Sequence, residues 1–279
     1  MLAMRVPFIK MHGLGNDFVV LDARADAVPV MTNALVAALA DRKTGIGCDQ
    51  LILLGPSSVA DLQMRIFNAD GGEVEACGNA TRTVGLLYGA PARIETVAGI
   101  LATDPVDGGI AVDMGVPRFD WERIPLAYAM DTLTMPVGWP DDAGALENPA
   151  GVNIGNPHAV FFVDDCAGVA LDRLGPEIEH DPLFPERVNV NVATVTARNA
   201  IRLRVWERGV GETRACGTGA CATAVAAMRR GLCDRRVTVT LTGGPLVIEW
   251  NAADRIVMTG PAAESFRGTF DPADYGTTA

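Results

Sequence analysis

The chain has 279 residues and a formal net charge of −11, with 49% apolar and 20% charged residues. This length suits two domains of ordinary size, each with its own core, and the composition is typical of a soluble globular protein. The acidic balance argues against a nucleic-acid partner, because binding a polyanion needs clustered Lys and Arg. No apolar run is long enough for a membrane span, and the N-terminus does not resemble a signal peptide. We therefore expect a cytoplasmic protein with reduced thiols.

The cysteines and lysines do not indicate a disulfide framework, a metal site or a covalent cofactor. Six cysteines are sparse for this length, and no C-x-x-C pair is present. A pyridoxal phosphate enzyme needs a lysine for its Schiff base. The only two lysines, Lys10 and Lys43, are in no convincing cofactor context.

The first half of the chain has the pattern of a mixed α/β unit. One helix is predicted from Thr32 as N-cap to Ala40, and a second from about Ala80 to Tyr88. A loop is expected at 45–50. Alternating or continuous apolar runs predict strands at 6–9, 18–21, 51–54, 61–67, 93–97 and 110–114.

A turn-rich stretch at 121–150 separates this unit from a second one. We place there either the linker between the units or an excursion of the chain at the edge of a sheet. Strands are then predicted at 159–163 and 202–206, with a helix at 171–178. The run 219–228 is small and apolar on every side, which predicts a central helix. Arg229, Arg230 and Gly231 give that helix a cationic end and a stop.

One phrase occurs in both halves. Residues 68–82 read N-A-D-G-G-E-V-E-A-C-G-N-A-T-R, and residues 207–220 read E-R-G-V-G-E-T-R-A-C-G-T-G-A. We infer an internal duplication of one α/β unit, with the active site in a cleft between an N-terminal lobe (1–120) and a C-terminal lobe (121–279). The matched positions, 139 or 140 residues apart, are Cys77 and Cys216, Asn16 and Asn156, Gln50 and Asn189, and Asn68 and Glu207.

The two repeated cysteines are the candidate reactive groups. A cysteine at a helix N-terminus meets unpaired N–H groups and the positive end of the helix dipole, which favour the thiolate. The helix contributes about 0.3–1 kcal/mol, so we expect it to lower the thiol pKa by about one unit or less, toward neutrality. One thiolate and one thiol on opposite faces of a carbon would exchange its α-hydrogen and invert the centre. The backbone amides of Gly78, Asn79, Gly217 and Thr218 would stabilise the growing charge.

Other functions of the cysteines remain open from these residues alone. Cys48, Cys166, Cys221 and Cys233 fit the ordinary role of buried small residues. A Cys–His hydrolase is an alternative, with His158 in G-N-P-H as the plausible neighbour. That alternative leaves the second cysteine of the repeat unexplained.

The residues 68–82 closely resemble the signature of the diaminopimelate epimerases, cofactor-independent amino-acid epimerases of the bacterial lysine and cell-wall pathway. H-G-L-G-N-D-F, G-I-G-C-D-Q, G-N-P-H, E-R-V-N-V and the phrase around Cys216 follow in the family's order, across nearly the whole chain. Gly72 departs from the family, which has Ser there, and Cys48 lies where the family varies. The resemblance implies two pseudo-symmetric lobes, each a mostly antiparallel curved sheet around a central helix.

The resemblance also implies roles for individual residues, no cofactor and no metal. Cys77 and Cys216 would be the acid/base pair, and His158 and Glu207 are candidates for adjusting their pKa values. Arg208 would hold the distal carboxylate of a diamino-dicarboxylate substrate by its bidentate fork, with Glu207 near an ammonium. A homodimer is implied, as is packing of the tail after about residue 262 on the first lobe. The substrate-binding residues would be Asn16, Gln50, Asn68, Gly78, Asn79, Asn156, Asn189, Glu207, Arg208, Gly217 and Thr218.

Two rival functions stay open. A proline or hydroxyproline racemase would also use paired cysteines, but an imino acid offers no second carboxylate for Arg208. A non-catalytic binding protein could use the two thiols as a redox switch, and it would exchange no α-proton.

Overall fold

The computed structural model describes residues 5–74, 77–140 and 145–275. Its internal contacts divide the chain into two compact units, Met1–Val112 with Gly260–Ala279, and Asp113–Thr259. Both ends of the chain therefore belong to the first unit. In the described ranges, no helix combines the length and the apolar character that crossing a bilayer requires.

The described part of the chain is mostly β-strands, with α-helices between some of them. The elements up to the end of the first half are β1 (Val6–Gly13), β2 (Asn16–Asp22), α1 (Asn33–Ala40), β3 (Gln50–Gly55), β4 (Leu62–Asn68), β5 (Glu73–Val74), α2 (Gly78–Tyr88), β6 (Ala92–Thr96), β7 (Gly99–Val106) and β8 (Gly109–Gly115). The remaining elements are β9 (Gly138–Trp139), β10 (Leu146–Glu147), β11 (Ala150–Asn153), β12 (Pro157–Phe162), α3 (Leu171–Glu179), β13 (Asn189–Ala197), β14 (Ala200–Glu207), β15 (Gly211–Thr213), α4 (Gly217–Arg229), β16 (Arg236–Leu241), β17 (Gly244–Trp250), β18 (Ile256–Gly260) and β19 (Ala263–Phe270).

The two units have the same strand pairing. In the first, β1–β2, β3–β4, β4–β5 and β6–β7 are antiparallel, and β2–β3 and β4–β6 are parallel. In the second, β11–β12, β13–β14, β14–β15 and β16–β17 are antiparallel, and β12–β13 and β14–β16 are parallel. In each unit, a helix lies in the connection between the two strands of each parallel pair. The predicted duplicated, mostly antiparallel α/β fold is therefore confirmed.

The first and last strands pair with each other inside the first unit. Strand β19 pairs antiparallel with β1, with Val6 opposite Phe270. Phe270 is buried in the same core cluster as Val6, Leu35 and Leu51. The second unit has its own cluster, in which Phe161, Leu174 and Val190 are fully buried.

Local signals explain where the helices begin and end. Thr32 is the N-cap of α1, as predicted, because its hydroxyl accepts from the Leu35 amide at 3.2 Å. Helix α4 is buried on nearly every side from Gly217 to Ala227, which confirms the prediction of a central helix. Both α2 and α4 begin two residues earlier than predicted, because each starts at a glycine directly after its cysteine. The boundary at each helix start is decided by the geometry of the cap residue, which a propensity pattern does not contain.

Several strands have no prediction from the sequence. Strand β7 is mostly exposed and contains Asp104 and Pro105, so it lacks an apolar alternation. The strands β13, β16, β17 and β19 were also not predicted. Strand β19 pairs with β1, far away along the chain, whereas β16 and β17 form a hairpin and β13 pairs with the adjacent β14.

Candidate active site

Cys77 lies at the N-cap of α2, with extended backbone geometry. It is half-buried, and its Sγ lies 3.9 Å from Asn16 Oδ1. The first intrahelical bond is donated by the Thr81 amide to the Cys77 carbonyl at 2.9 Å. Gly78 and Asn79 therefore occupy the first turn, where backbone N–H groups have no partner four residues earlier.

Cys216 takes the same place at the start of α4, with a different environment. Its Sγ accepts from the Gly219 amide at 3.3 Å and lies 3.5 Å from the Thr218 hydroxyl. The residue is only 4% exposed. Gly217 and Thr218 form the first turn, before the Ala220 amide donates to the Cys216 carbonyl at 3.0 Å.

Burial raises the pKa of the Cys216 thiol well above its ordinary value, and the nearby Glu207 carboxylate raises it further. The hydrogen bonds from Thr218 and Gly219 act in the opposite direction and do not compensate. The expectation that a helix start brings this thiol close to neutrality is therefore wrong for Cys216. A helix terminus is worth about 1 kcal/mol, whereas removing a charge from water shifts a pKa by several units.

Glu207 ends strand β14 beside this thiol. The Thr213 hydroxyl donates to Glu207 Oε1, and the Cys216 thiol is a second hydrogen-bond partner. Burial raises the pKa of the Glu207 carboxyl, and those two hydrogen bonds oppose the shift. The sequence had not indicated Thr213, which the β14–β15 hairpin places opposite Val205, two residues before Glu207.

In the first unit, the predicted amide side chains form two contacts. Asn79 Nδ2 donates to Asn16 Oδ1 at 3.2 Å, so both residues adjoin Cys77. Gln50 and Asn68 are opposite each other on β3 and β4, and Gln50 Nε2 donates to Asn68 Oδ1 at 3.0 Å. The structure thus brings Asn16, Asn79 and Cys77 together, and Gln50 and Asn68 together.

In the second unit, Asn156, His158 and Asn189 lie around the start of β12. His158 is fully buried, with its Nε2 2.9 Å from Asn156 Oδ1. Burial lowers the pKa of His158 to about 3, so this imidazole is neutral at physiological pH. Both ring nitrogens of His158 are within hydrogen-bond distance of asparagine side chains, Asn156 and Asn191. The imidazole is therefore not available as the base of a Cys–His hydrolase.

Arg208 follows directly after Glu207 and is exposed. Its backbone amide donates to Asn189 Oδ1 at 3.0 Å, and its Nη1 donates to the Glu186 carbonyl at 2.9 Å. Asn189 also donates from Nδ2 to the Pro157 carbonyl at 2.8 Å. Both ends of the Asn189 amide are thus engaged, and it positions the backbone of the segment that carries Arg208.

Two further polar residues support these side chains and were missed from the sequence. Asp49 accepts from Asn16 Nδ2 at 3.0 Å, and Asn191 lies 3.1 Å from His158 Nδ1. A signal existed for each, because Asp49 precedes Gln50 and Asn191 lies two residues after Asn189. In a strand, that spacing places both asparagines on one face.

The other four cysteines are buried, as predicted. Burial raises the pKa of Cys48 and of Cys233 to about 11, so both stay as thiols. Among the described residues, no group of three or more His, Cys, Asp or Glu side chains is arranged to hold a metal ion.

Residues 8–119 and 151–264 match the family model described as diaminopimelate epimerase. The chain belongs to the diaminopimelate epimerase family. A diaminopimelate epimerase of Erythrobacter litoralis (strain HTCC2594) is 70% identical over 98% of this chain and 100% of its own length. One of Rhizorhabdus wittichii (strain RW1) is 66% identical over 98% of each chain. Membership in this family makes the chain an enzyme of the isomerase class.

Solved structures share the fold of this epimerase-family chain at low sequence identity. A Bacillus anthracis phenazine biosynthesis protein of the PhzF family superposes with a TM-score of 0.67 at 17% identity, covering 95% of this chain and 99% of its own. A probable proline racemase from Agrobacterium radiobacter K84 also reaches a TM-score of 0.67, at 18% identity, covering 98% and 96%. At such identities the similarity establishes the fold alone.

Proposed function

We propose that this protein converts LL-2,6-diaminopimelate to meso-diaminopimelate without a cofactor, by two-base catalysis in lysine and peptidoglycan-precursor biosynthesis. One observation carries the mechanism: each unit places a cysteine at the N-cap of the equivalent helix, Cys77 on α2 and Cys216 on α4. The names of the near relatives support the substrate.

In the proposed reaction, the two thiols share one proton and act on opposite faces of a single α-carbon. One cysteine, as the thiolate, removes the α-hydrogen, the electron pair moves into the carboxylate, and the other cysteine delivers its proton to the opposite face. The net result is inversion, with the first cysteine protonated and the second ionised. The reverse reaction restores the starting pair.

The dianionic intermediate needs hydrogen-bond donors that are already oriented. The first-turn amides of Gly78, Asn79, Gly217 and Thr218 supply them at two helix starts, where the helix dipole also favours negative charge. Arg208 would bind the distal carboxylate as a bidentate fork. Glu207 would adjust the pKa of Cys216 and accept from a substrate ammonium. The remaining contacts would come from Asn16, Gln50, Asn68, Asn156 and Asn189.

The decisive experiment is incubation of the purified protein with LL-diaminopimelate in heavy water, with no added cofactor. We expect deuterium at one α-carbon and formation of the meso isomer. A single cysteine variant, Cys77→Ser or Cys216→Ser, serves as the background control. Absence of both deuterium uptake and meso product from the wild-type protein would rule out the proposed activity.

A proline or hydroxyproline racemase is the second candidate, because a probable proline racemase and a hydroxyproline epimerase share the fold. The same heavy-water assay with L-proline and trans-4-hydroxy-L-proline separates the two. Exchange on the imino acids alone would favour the racemase. A thiol-switch protein would exchange no α-proton on any of these substrates.

We also propose that the protein works as a homodimer in the cytoplasm. Six cysteines without a disulfide are compatible with a reducing compartment. Light scattering of the purified protein tests the dimer.

A further inference from the structure

Asn16 is one member of a hydrogen-bond chain whose direction is determined at both ends. At one end, the guanidinium of Arg82, which can only donate, gives a hydrogen bond to Asn79 Oδ1 at 2.8 Å. Asn79 Nδ2 therefore faces Asn16 Oδ1, at 3.2 Å. At the other end, Asn16 Nδ2 donates to Asp49 Oδ2 at 3.0 Å, and an ionised carboxylate can only accept. Both ends require the same orientation, with the oxygen of Asn16 toward Cys77.

Asp49 is itself held in place on the protein side. Its Oδ1 accepts from Arg42 Nη2 at 2.7 Å, and its Oδ2 also accepts from the Asp17 amide at 3.0 Å. Arg42 pairs with Asp17 as well, at 2.6 Å. Asp49 and Asp17 thus share one cation, but only Asp49 contacts the side chain of Asn16.

In the second unit, an equivalent chain has the opposite direction. Asn191 Nδ2 lies 3.3 Å from the carbonyl oxygens of both Ala159 and Asn189, so this end of the amide must be the nitrogen. The same nitrogen lies 3.1 Å from His158 Nδ1, which is therefore the acceptor. The remaining proton of the neutral imidazole is on Nε2, which donates to Asn156 Oδ1 at 2.9 Å. The oxygen of Asn156 is occupied, and its amide N–H groups are presented instead.

We propose that Asp49 and Asn191 are positioning residues that hold the duplicated pair Asn16 and Asn156 in opposite amide orientations. Asn16 presents an acceptor, suited to an ammonium or a thiol hydrogen. Asn156 presents donors, suited to a carboxylate oxygen. This inference rests on the proposed function for the identity of the ligand groups. It explains how a duplicated frame recognises a substrate whose ammonium and carboxylate groups need different partners.

The first test measures the tautomer of His158 and needs no substrate. The chain has three histidines, His12, His158 and His180, so long-range ¹H–¹⁵N spectra of the labelled protein are readily assigned with His12→Gln and His180→Gln variants. We expect the neutral Nε2–H tautomer for His158 at pH 7. In Asn191→Asp the side chain can only accept, so the proton should move to Nδ1. A neutral Nδ1–H tautomer or an imidazolium in the wild-type protein would overturn the proposal, even if the variant does not fold.

The second test uses Asp49→Asn and its matched control, Asp17→Asn. Each removes one carboxylate that pairs with Arg42, but only Asp49→Asn allows the Asn16 amide to turn. A turned amide presents N–H to Cys77 and stabilises the thiolate, since hydrogen bonds to the charged form favour it. Alkylation of Cys77 by iodoacetamide, followed by peptide mass spectrometry across pH, should show a lower apparent Cys77 pKa in Asp49→Asn than in Asp17→Asn.

In turnover, we expect Asp49→Asn to lower kcat/KM roughly tenfold or more, as for a lost charge-assisted hydrogen bond. Asp17→Asn should lower kcat/KM less than Asp49→Asn does, because the Asp17 carboxylate pairs with Arg42 and Lys10 but does not contact the Asn16 side chain. Equal Cys77 profiles in the two variants would contradict the positioning role of Asp49. The tautomer and alkylation measurements hold even if diaminopimelate is not the substrate, so the two proposals fail separately.

Discussion

The amide nitrogen of Gly219 donates to Cys216 Sγ at 3.3 Å, so the sulfur of Cys216 caps the helix that it begins. Cys77, at the equivalent place on α2, instead directs its sulfur to the side chain of Asn16 at 3.9 Å. The two cysteines share a position in the repeat but not an environment. Cys216 is almost fully buried beside Glu207, and burial raises the pKa of its thiol.

Replacing either Cys77 or Cys216 with serine should abolish epimerisation, because a hydroxyl is far too weak an acid to exchange a proton with the α-carbon. We expect kcat to fall by about 10²–10⁴-fold, the usual contribution of one acid/base group. Deuterium uptake measured by mass spectrometry checks this. Cys233→Ala, which removes a buried thiol that donates to the Ala224 carbonyl, should keep near wild-type turnover. Equal losses in all three variants would point to misfolding instead.

Glu207→Gln should shift the alkaline limb of the pH–rate profile to lower pH. The Glu207 carboxylate raises the pKa of Cys216, in addition to the larger effect of burial. Cys216 acts as an acid only while protonated, so activity is lost as the pH rises through its pKa. Removing the carboxylate lowers that pKa, and the loss then begins earlier. The measurement is kcat/KM against pH, extended well above the ordinary cysteine pKa of about 8.5, because burial raises the pKa of Cys216 well above that value.

The matched control for that profile is Glu212→Gln. Glu212 pairs with Arg204 at 2.8 Å and is exposed, so its replacement should leave the alkaline limb in place. The role of Glu207 would be refuted by a profile that does not move in Glu207→Gln, or that moves equally in both variants.

Arg208→Lys should raise KM for diaminopimelate roughly tenfold or more while changing kcat less. Lysine keeps the charge but cannot form a bidentate fork with a carboxylate, and one lost charge-assisted hydrogen bond is worth about 1.5–3 kcal/mol. Steady-state kinetics test this. The control is Arg202→Lys, because Arg202 is an exposed arginine that lies 3.5 Å from Asp165. An unchanged KM in Arg208→Lys would exclude Arg208 from substrate binding.

Gly175→Ala should destabilise the second unit by about 1–3 kcal/mol, the usual cost of overpacking. A Cβ at Gly175 in α3 would lie 2.4 Å from Cδ2 of Trp206, whose indole N–H is fixed by a hydrogen bond to the buried Glu179 at 2.8 Å. Urea unfolding gives the free energy. Gly168→Ala is the comparison, since the nearest atom to its Cβ is 4.0 Å away. Equal stabilities of the two variants would show that the Trp206 side chain moves to accommodate the added methyl group.

The sequence by itself determined the elements that carry local signals. The Thr32 cap predicted the start of α1, the small apolar run 219–228 predicted a central helix, and the repeated cysteine phrase predicted the duplication. These signals are local because a cap or a periodic face involves residues within a few positions of each other. The motif around Cys77 also indicated the family, because it resembles the signature of the diaminopimelate epimerases.

Only the tertiary structure decided the electrostatics and the hydrogen-bond directions of the site. The pKa of Cys216 depends on how completely the fold removes it from water, and the helix start alone predicted the wrong direction. Asn16 donates to Asp49, which follows a different strand and helix, and His158 contacts Asn191 on a neighbouring strand. Desolvation and donor–acceptor direction arise from neighbours brought together by folding, so residue spacing along the chain could not reveal them.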